Sequence, residues 1–130
     1  AGSIIAYNAS FELTVLRNLA KIFESEKAFI DSITNRFVDL LTPFKNGYYY
    51  KPEMGSSASI KSVLPAIAPE FSYQDLEIGN GGDASNIYHS LITGTITDPN
   101  KTIYYNLLKY CERDTEGMVV IYRHLKEITQ

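Results

Sequence analysis

The stretch from Ile103 to Ile128 constrains the fold most, because its apolar residues recur at spacings of three and four over more turns than anywhere else in the chain. Ile103, Leu107, Tyr110, Met118, Ile121 and Leu125 fall along one stripe when wound at helical pitch, so the spacing predicts an amphipathic helix, or two helices if the run breaks near 110–113. A glycine in a helix interior costs about 1 kcal/mol against alanine, so Gly117 marks either a close backbone approach or a tolerated defect. Within the run stands Tyr110-Cys111-Glu112-Arg113-Asp114. Residues four apart on a helix lie one above the other, so the Tyr110 phenol and the Asp114 carboxylate are expected to share a face. A packed tyrosine followed by a solvated aspartate is the simpler account of the same spacing.

The rest of the chain reads as short elements. Ile4-Ile5-Ala6-Tyr7 has the pattern of a buried strand, and Phe11, Val15, Leu16, Leu19, Ile22 and Phe23 then recur at helical spacing behind Asn8 or Ser10 as N-cap. Glu12 falls in the first turn, where the helix dipole favours a carboxylate without any further role. A second helix is expected through Ala28, Phe29, Ile33 and Phe37, then a brief strand at Val38-Asp39-Leu40-Leu41 closed by Thr42-Pro43. Asn46-Gly47 signals a turn, and Tyr48-Tyr49-Tyr50-Lys51 has aromatic strand character up to Pro52. With Lys45 and Lys51 beside them, these tyrosines can stack bases and touch phosphates, or form a short exposed strand with one ring packed inward. Ser59 can cap a short helix through Ile60, Val63, Leu64 and Ile67, which Pro65 is expected to interrupt or confine to single turns. Lys61 lies near that N-terminus, where a phosphate can bind. The segment from Phe71 to Leu76 reads as irregular and Asn80-Gly81-Gly82 as a loop. Asp83 then caps a helix that Gly94 stops, and Thr97-Asp98-Pro99 starts the long one.

Composition bounds what such a chain can do. One domain accounts for 130 residues, with 45% apolar and 21% charged residues, so a packed core is expected rather than disorder. A net charge of −3 excludes a broad basic surface for non-specific nucleic-acid binding. Any polyanion substrate therefore needs local lysines or a bridging metal. The lone cysteine, Cys111, rules out an internal disulfide and has no evident base to make it a nucleophile. No run approaches a membrane span, which reads as a soluble, cytoplasmic chain without membrane partners. Ala1-Gly2-Ser3 reads as an expression scar ahead of a domain at 4–130 that begins directly on a strand.

Several blocks together suggest a family. The pattern Asn-x-x-Phe-[Asp/Glu] at Asn8 to Glu12 resembles the second motif of the DEDD 3′–5′ exonucleases, and Tyr110-x-x-x-Asp114 resembles the tyrosine form of their third. More closely, Tyr7-Asn8-Ala9-Ser10-Phe11-Glu12, Val38-Asp39-Leu40-Leu41-x-Pro43-Phe44, Asn46-Gly47-Tyr48-Tyr49-Tyr50, Ser59-Ile60-Lys61-x-Val63-Leu64-Pro65 and Tyr110-Cys111-Glu112-x-Asp114-Thr115 resemble the DUF2779 family, a bacterial branch of that group. The resemblance runs from Ile4 to Leu125. It implies an α/β, helix-rich chain that is the C-terminal portion of a ribonuclease H-like fold, with few short strands. It further implies a nuclease acting on single-stranded DNA or RNA, with Tyr110, Asp114 and Glu12 as catalytic residues. Asp114 and Glu12 would be ligands to Mg²⁺ or Mn²⁺, and Asn8, Lys61 and Tyr49 would touch nucleic acid.

The departures shape the expectation too. The family's first motif, Asp-x-Glu, is missing before Ile4, and Glu12 stands where an aspartate is usual. The chain alone is therefore expected to bind no metal and to be inactive, with exposed apolar faces that favour self-association. A non-catalytic ribonuclease H-like module that binds nucleic acid or a protein is the alternative.

Overall fold

In the computed structural model, which describes residues 2–130, β1 (Ile4–Ala6) and β2 (Phe37–Asp39) pair in parallel, with Ile4 opposite Phe37 and Ala6 opposite Asp39. Parallel strands require a crossover, and here it is helical: α1 (Ala9–Ile22), a 3-10 turn at Glu24–Glu26 and α2 (Lys27–Thr34). The chain is thus a helix-rich α/β protein whose sheet, among the described residues, has two strands. It divides into two compact units, one ending at Val63 and the other covering Leu64–Gln130. The start read as an expression scar includes Ala1, which lies outside the described residues.

In the first unit, α1 follows the expected periodicity and has Asn8, one of the two expected residues, at its N-cap position, but not through its side chain. Asn8 occupies the N-cap position in left-handed backbone (φ 67°), and its side chain makes no cap bond; Asn8 Oδ1 instead accepts from the Ser10 hydroxyl. The first amides are held by Asp39, whose Oδ1 accepts from Asn8 N at 2.8 Å and whose Oδ2 accepts from Ala9 N at 3.0 Å. Asp39 Oδ1 also accepts from Leu41 N, which turns the chain into α3 (Leu41–Lys45) and cuts β2 short of the expected Leu41. Pro43 lies inside α3 near its start, where its missing N–H has no helical partner to lose. Tyr48–Lys51 is not a strand. Tyr48 N and Tyr49 N both donate to Pro43 O, wrapping the backbone round Gly47 (φ 71°), and a 3-10 turn follows at Pro52–Met54. Phe44 forms the centre of this end, stacked on Tyr7 at 6.2 Å and met edge-on by Tyr49 at 5.7 Å.

In sequence, α4 (Ile60–Ile67) spans the division between the units and runs for eight residues with Pro65 inside it. The expected interruption does not occur. The Ser59 carbonyl accepts from Ser62 N and Val63 N, and a helix this short forgoes a single backbone bond at the proline.

The second unit opens with a 3-10 turn at Pro69–Phe71, then α5 (Gly81–Ile92) and α6 (Thr102–Ile128). Asn80, not Asp83, caps α5: its Oδ1 accepts from Asp83 N at 2.8 Å, so both glycines belong to the first turn rather than to a loop. The long helix starts at Thr102 instead of Pro99. Asp98 is still part of that start, its carbonyl taking Lys101 N and its carboxylate taking Tyr104 N. From there α6 is continuous for 27 residues, with no break at 110–113. Gly117 is a close approach: a Cβ there would lie 2.6 Å from Leu64 Cδ2, and Leu64 is fully buried.

Candidate functional site

On α6, Tyr110, Asp114, Gly117 and Ile121 follow one another at three- and four-residue steps, and Tyr110, Gly117 and Ile121 are buried. Asp114 therefore lies in the same stripe, half-buried, and a carboxyl group leaving water needs partners. Tyr73, itself buried, supplies one, donating to Asp114 Oδ1 at 2.6 Å, and the Tyr110 hydroxyl is close enough to the same carboxylate to feel its charge. The two rings tilt against each other at 6.5 Å. The Tyr110 oxygen also lies against α5, since a Cβ on Gly81 would come within 3.4 Å of it. The pair expected from the sequence is thus brought together, with a third member that it did not indicate.

One turn of α6 holds the Tyr73 segment in place. Arg113 donates to the Ser72 carbonyl and forks onto both carboxylate oxygens of Asp75 at 3.2 and 3.1 Å. Its guanidinium also lies 6.0 Å from the Phe71 ring centre, a cation–π distance. The hydrogen bonds from Arg113 hold the Asp75 carboxyl below its usual range. Phe71 to Leu76 looked irregular because its order comes from Arg113 and Asp114, about forty positions on, and not from local periodicity.

Both phenols are strengthened as proton holders. Burial, then the nearby Asp114 charge, push Tyr110 up to about 12. Burial first and the hydrogen bond to Asp114 next push Tyr73 up further. At neutral pH each is a neutral hydroxyl. Such a group can orient a water or an oxygen of a ligand, but it does not act as a base.

The other expected site residues lie on different elements. Asn8, Glu12 and Tyr49 belong to the first unit, Tyr110 and Asp114 to the second, and Lys61 to the first turn of α4. Glu12 is half-buried, and its Oε2 is out of solvent with no hydrogen-bond partner among the described residues. A buried carboxylate oxygen in that state calls for an explanation, and a cation is one. No group of three or more His, Cys, Asp or Glu side chains able to hold a metal occurs among the described residues. The residues described therefore do not by themselves make a complete two-metal cage. Asn8 carries the left-handed backbone at the head of α1, and Tyr49 packs on Phe44 while Tyr48 and Tyr50 stay exposed. No helix among the described residues is long and apolar enough to cross a membrane.

Residues 1–59 match the profile of a family described as Domain of unknown function (DUF2779), so the chain is similar to that family over this stretch. The match takes in Asn8, Glu12 and Tyr49; Tyr110 and Asp114 lie beyond it. An uncharacterized protein of Ureaplasma parvum serovar 3 is 27% identical over 143 aligned positions, which cover 97% of this chain and 21% of that protein. The chain thus spans about a fifth of the relative's length. No solved structure matches.

Proposed function

We propose that the chain is part of a ribonuclease H-like, metal-dependent 3′–5′ exonuclease acting on phosphodiesters of single-stranded DNA or RNA. The observation that carries this reading is the Tyr110–Asp114 pair, four residues apart on one face of α6 and electrostatically coupled, which is the arrangement its motif requires. The unpartnered Glu12 oxygen supports a second carboxylate in the same role. In this reading Asp114 and Glu12 are ligands to Mg²⁺ or Mn²⁺ and further carboxylates come from the rest of the protein. Such ions supply charge neutralisation of the phosphodiester and an activated water when bound. The chain's own contribution is positional: Tyr73 fixes the Asp114 carboxylate, and the neutral Tyr110 hydroxyl orients the attacking water. Asn8, Lys61 and Tyr49 touch the nucleic-acid strand.

The alternative, a non-catalytic ribonuclease H-like binding module, is favoured by one observation: Asp114 already receives the Tyr73 phenol, which is what a purely structural carboxylate needs. Cleavage separates the two. The full-length protein with Mg²⁺ or Mn²⁺ is expected to shorten a 5′-labelled single strand stepwise from its 3′ end, and chelation is expected to stop it. Binding without product under the same conditions would assign the module. Self-association of the isolated chain fits the exposed apolar side of α1, where Phe11, Val15, Leu19, Ile22 and Phe23 face solvent.

A further inference from the structure

The first unit contains a cleft of about 390 Å³ between α3 and the loop after Met54, a size that suits a small ligand. One wall is aromatic. Phe44 and Tyr49 are locked edge-on, and Tyr50 beside them is 62% exposed, so a flat ligand can lie on its ring without displacing anything. The other wall is the small-residue loop Gly55 to Ala58, tied down where Tyr7 donates to the Ala58 carbonyl at 2.6 Å. Gly55 has φ 60°, a conformation that L side chains rarely adopt, and it lines the cleft. At the mouth, Lys45 is exposed and has no carboxylate partner among the described residues, and the Ser56 hydroxyl has no partner there either.

A stacking face, a cation and a hydroxyl without partners among the described residues, all around one cleft, fit a single chemical class. We infer that this cleft holds one nucleotide of a single-stranded nucleic acid, with the base stacked on Tyr50 and the phosphate met by Lys45 and Ser56. This rests on the reading above that the substrate is a nucleic acid, and it adds where a strand is held. A purely apolar ligand would waste the lysine and the hydroxyls. Duplex is excluded by the geometry, because a base must leave its stack to lie on the ring.

Binding of a fluorescein-labelled short thymidine oligonucleotide to the chain, read by anisotropy in EDTA so that cleavage plays no part, tests the inference. Tyr50→Ala is expected to weaken binding about tenfold, the scale of one lost base stack, while Tyr50→Phe keeps the stack and the affinity. Because Tyr50 is exposed, neither change threatens the fold. Lys45→Ala is expected to lower the salt slope by about one ion. An abasic oligonucleotide of the same length is expected to bind the wild-type chain as weakly as the normal one binds Tyr50→Ala. Equal affinity of the abasic and normal strands, an unchanged Kd in Tyr50→Ala, or no binding at all overturns the assignment. Metal-dependent 3′ shortening by the full-length protein is read separately, so the cleft can fail while the nuclease reading stands.

Discussion

Asp114 and its two phenols carry most of what a single side chain can decide here. Removing a donor from a half-buried carboxylate leaves part of its charge unmatched, which costs about 1–3 kcal/mol. Tyr73→Phe is expected to lower the urea unfolding free energy by that amount. The same phenols link stability to pH. In the folded protein Tyr110, Tyr73 and Tyr7 all hold their protons more tightly than the unfolded value near 10, burial being the largest cause for each. Their contribution is complete below about pH 10 and is lost as pH rises from there through the folded values, because the unfolded chain releases the protons first. Urea midpoints are therefore expected to fall steeply above pH 10, and to fall less steeply in Tyr110→Phe. A midpoint independent of pH between 10 and 12 would contradict the burial of these hydroxyls.

At the scale of elements, two contacts explain what local pattern could and could not show. The periodicity of Phe11 to Phe23 marks α1 correctly, yet the carboxylate that holds its first amides is Asp39, 31 positions away, and no local signal points to it. Asp39→Ala leaves three backbone amides without their acceptor at once. It is expected to cost about 2 kcal/mol, the upper end for a lost helix cap, with early loss of amide protection at Asn8, Ala9 and Leu41. Gly117 was legible as an oddity, but its reason lies on another helix, in the buried Leu64 side chain. Gly117→Ala gains about 1 kcal/mol of helix propensity. It also drives a methyl into a packed neighbour, an overpacking that costs about 1–3 kcal/mol, so a net loss is expected. In a Leu64→Ala background the sign is expected to reverse, since the space is then free; chemical denaturation of the four variants reads the cycle. The helix starts were misplaced for the same reason. Asp98 and Asn80 cap from positions whose geometry depends on the turn before the helix, which spacing alone does not encode. Tyr48 to Lys51 has the composition of a strand, and Pro43 O bends it into a turn.

For the whole molecule, the helix-rich α/β character and the two short strands were readable from apolar patterning, and the Tyr110–Asp114 pairing from helical spacing. The division at Val63 was not, because α4 continues through it without a change in composition. Tyr73 was invisible in sequence since nothing near it is periodic, although it donates to the Asp114 carboxylate and packs against Tyr110. The functional account stands on whether that constellation acts on phosphodiesters or only closes a core. The direct measurement is the rate of 3′ shortening of a labelled single strand by the full-length protein with Mg²⁺, wild type against Asp114→Asn, with folding of the variant checked by circular dichroism. The account predicts that a folded Asp114→Asn protein loses at least about a hundredfold in rate, the scale of one displaced catalytic group. Undiminished cleavage by that variant would contradict it.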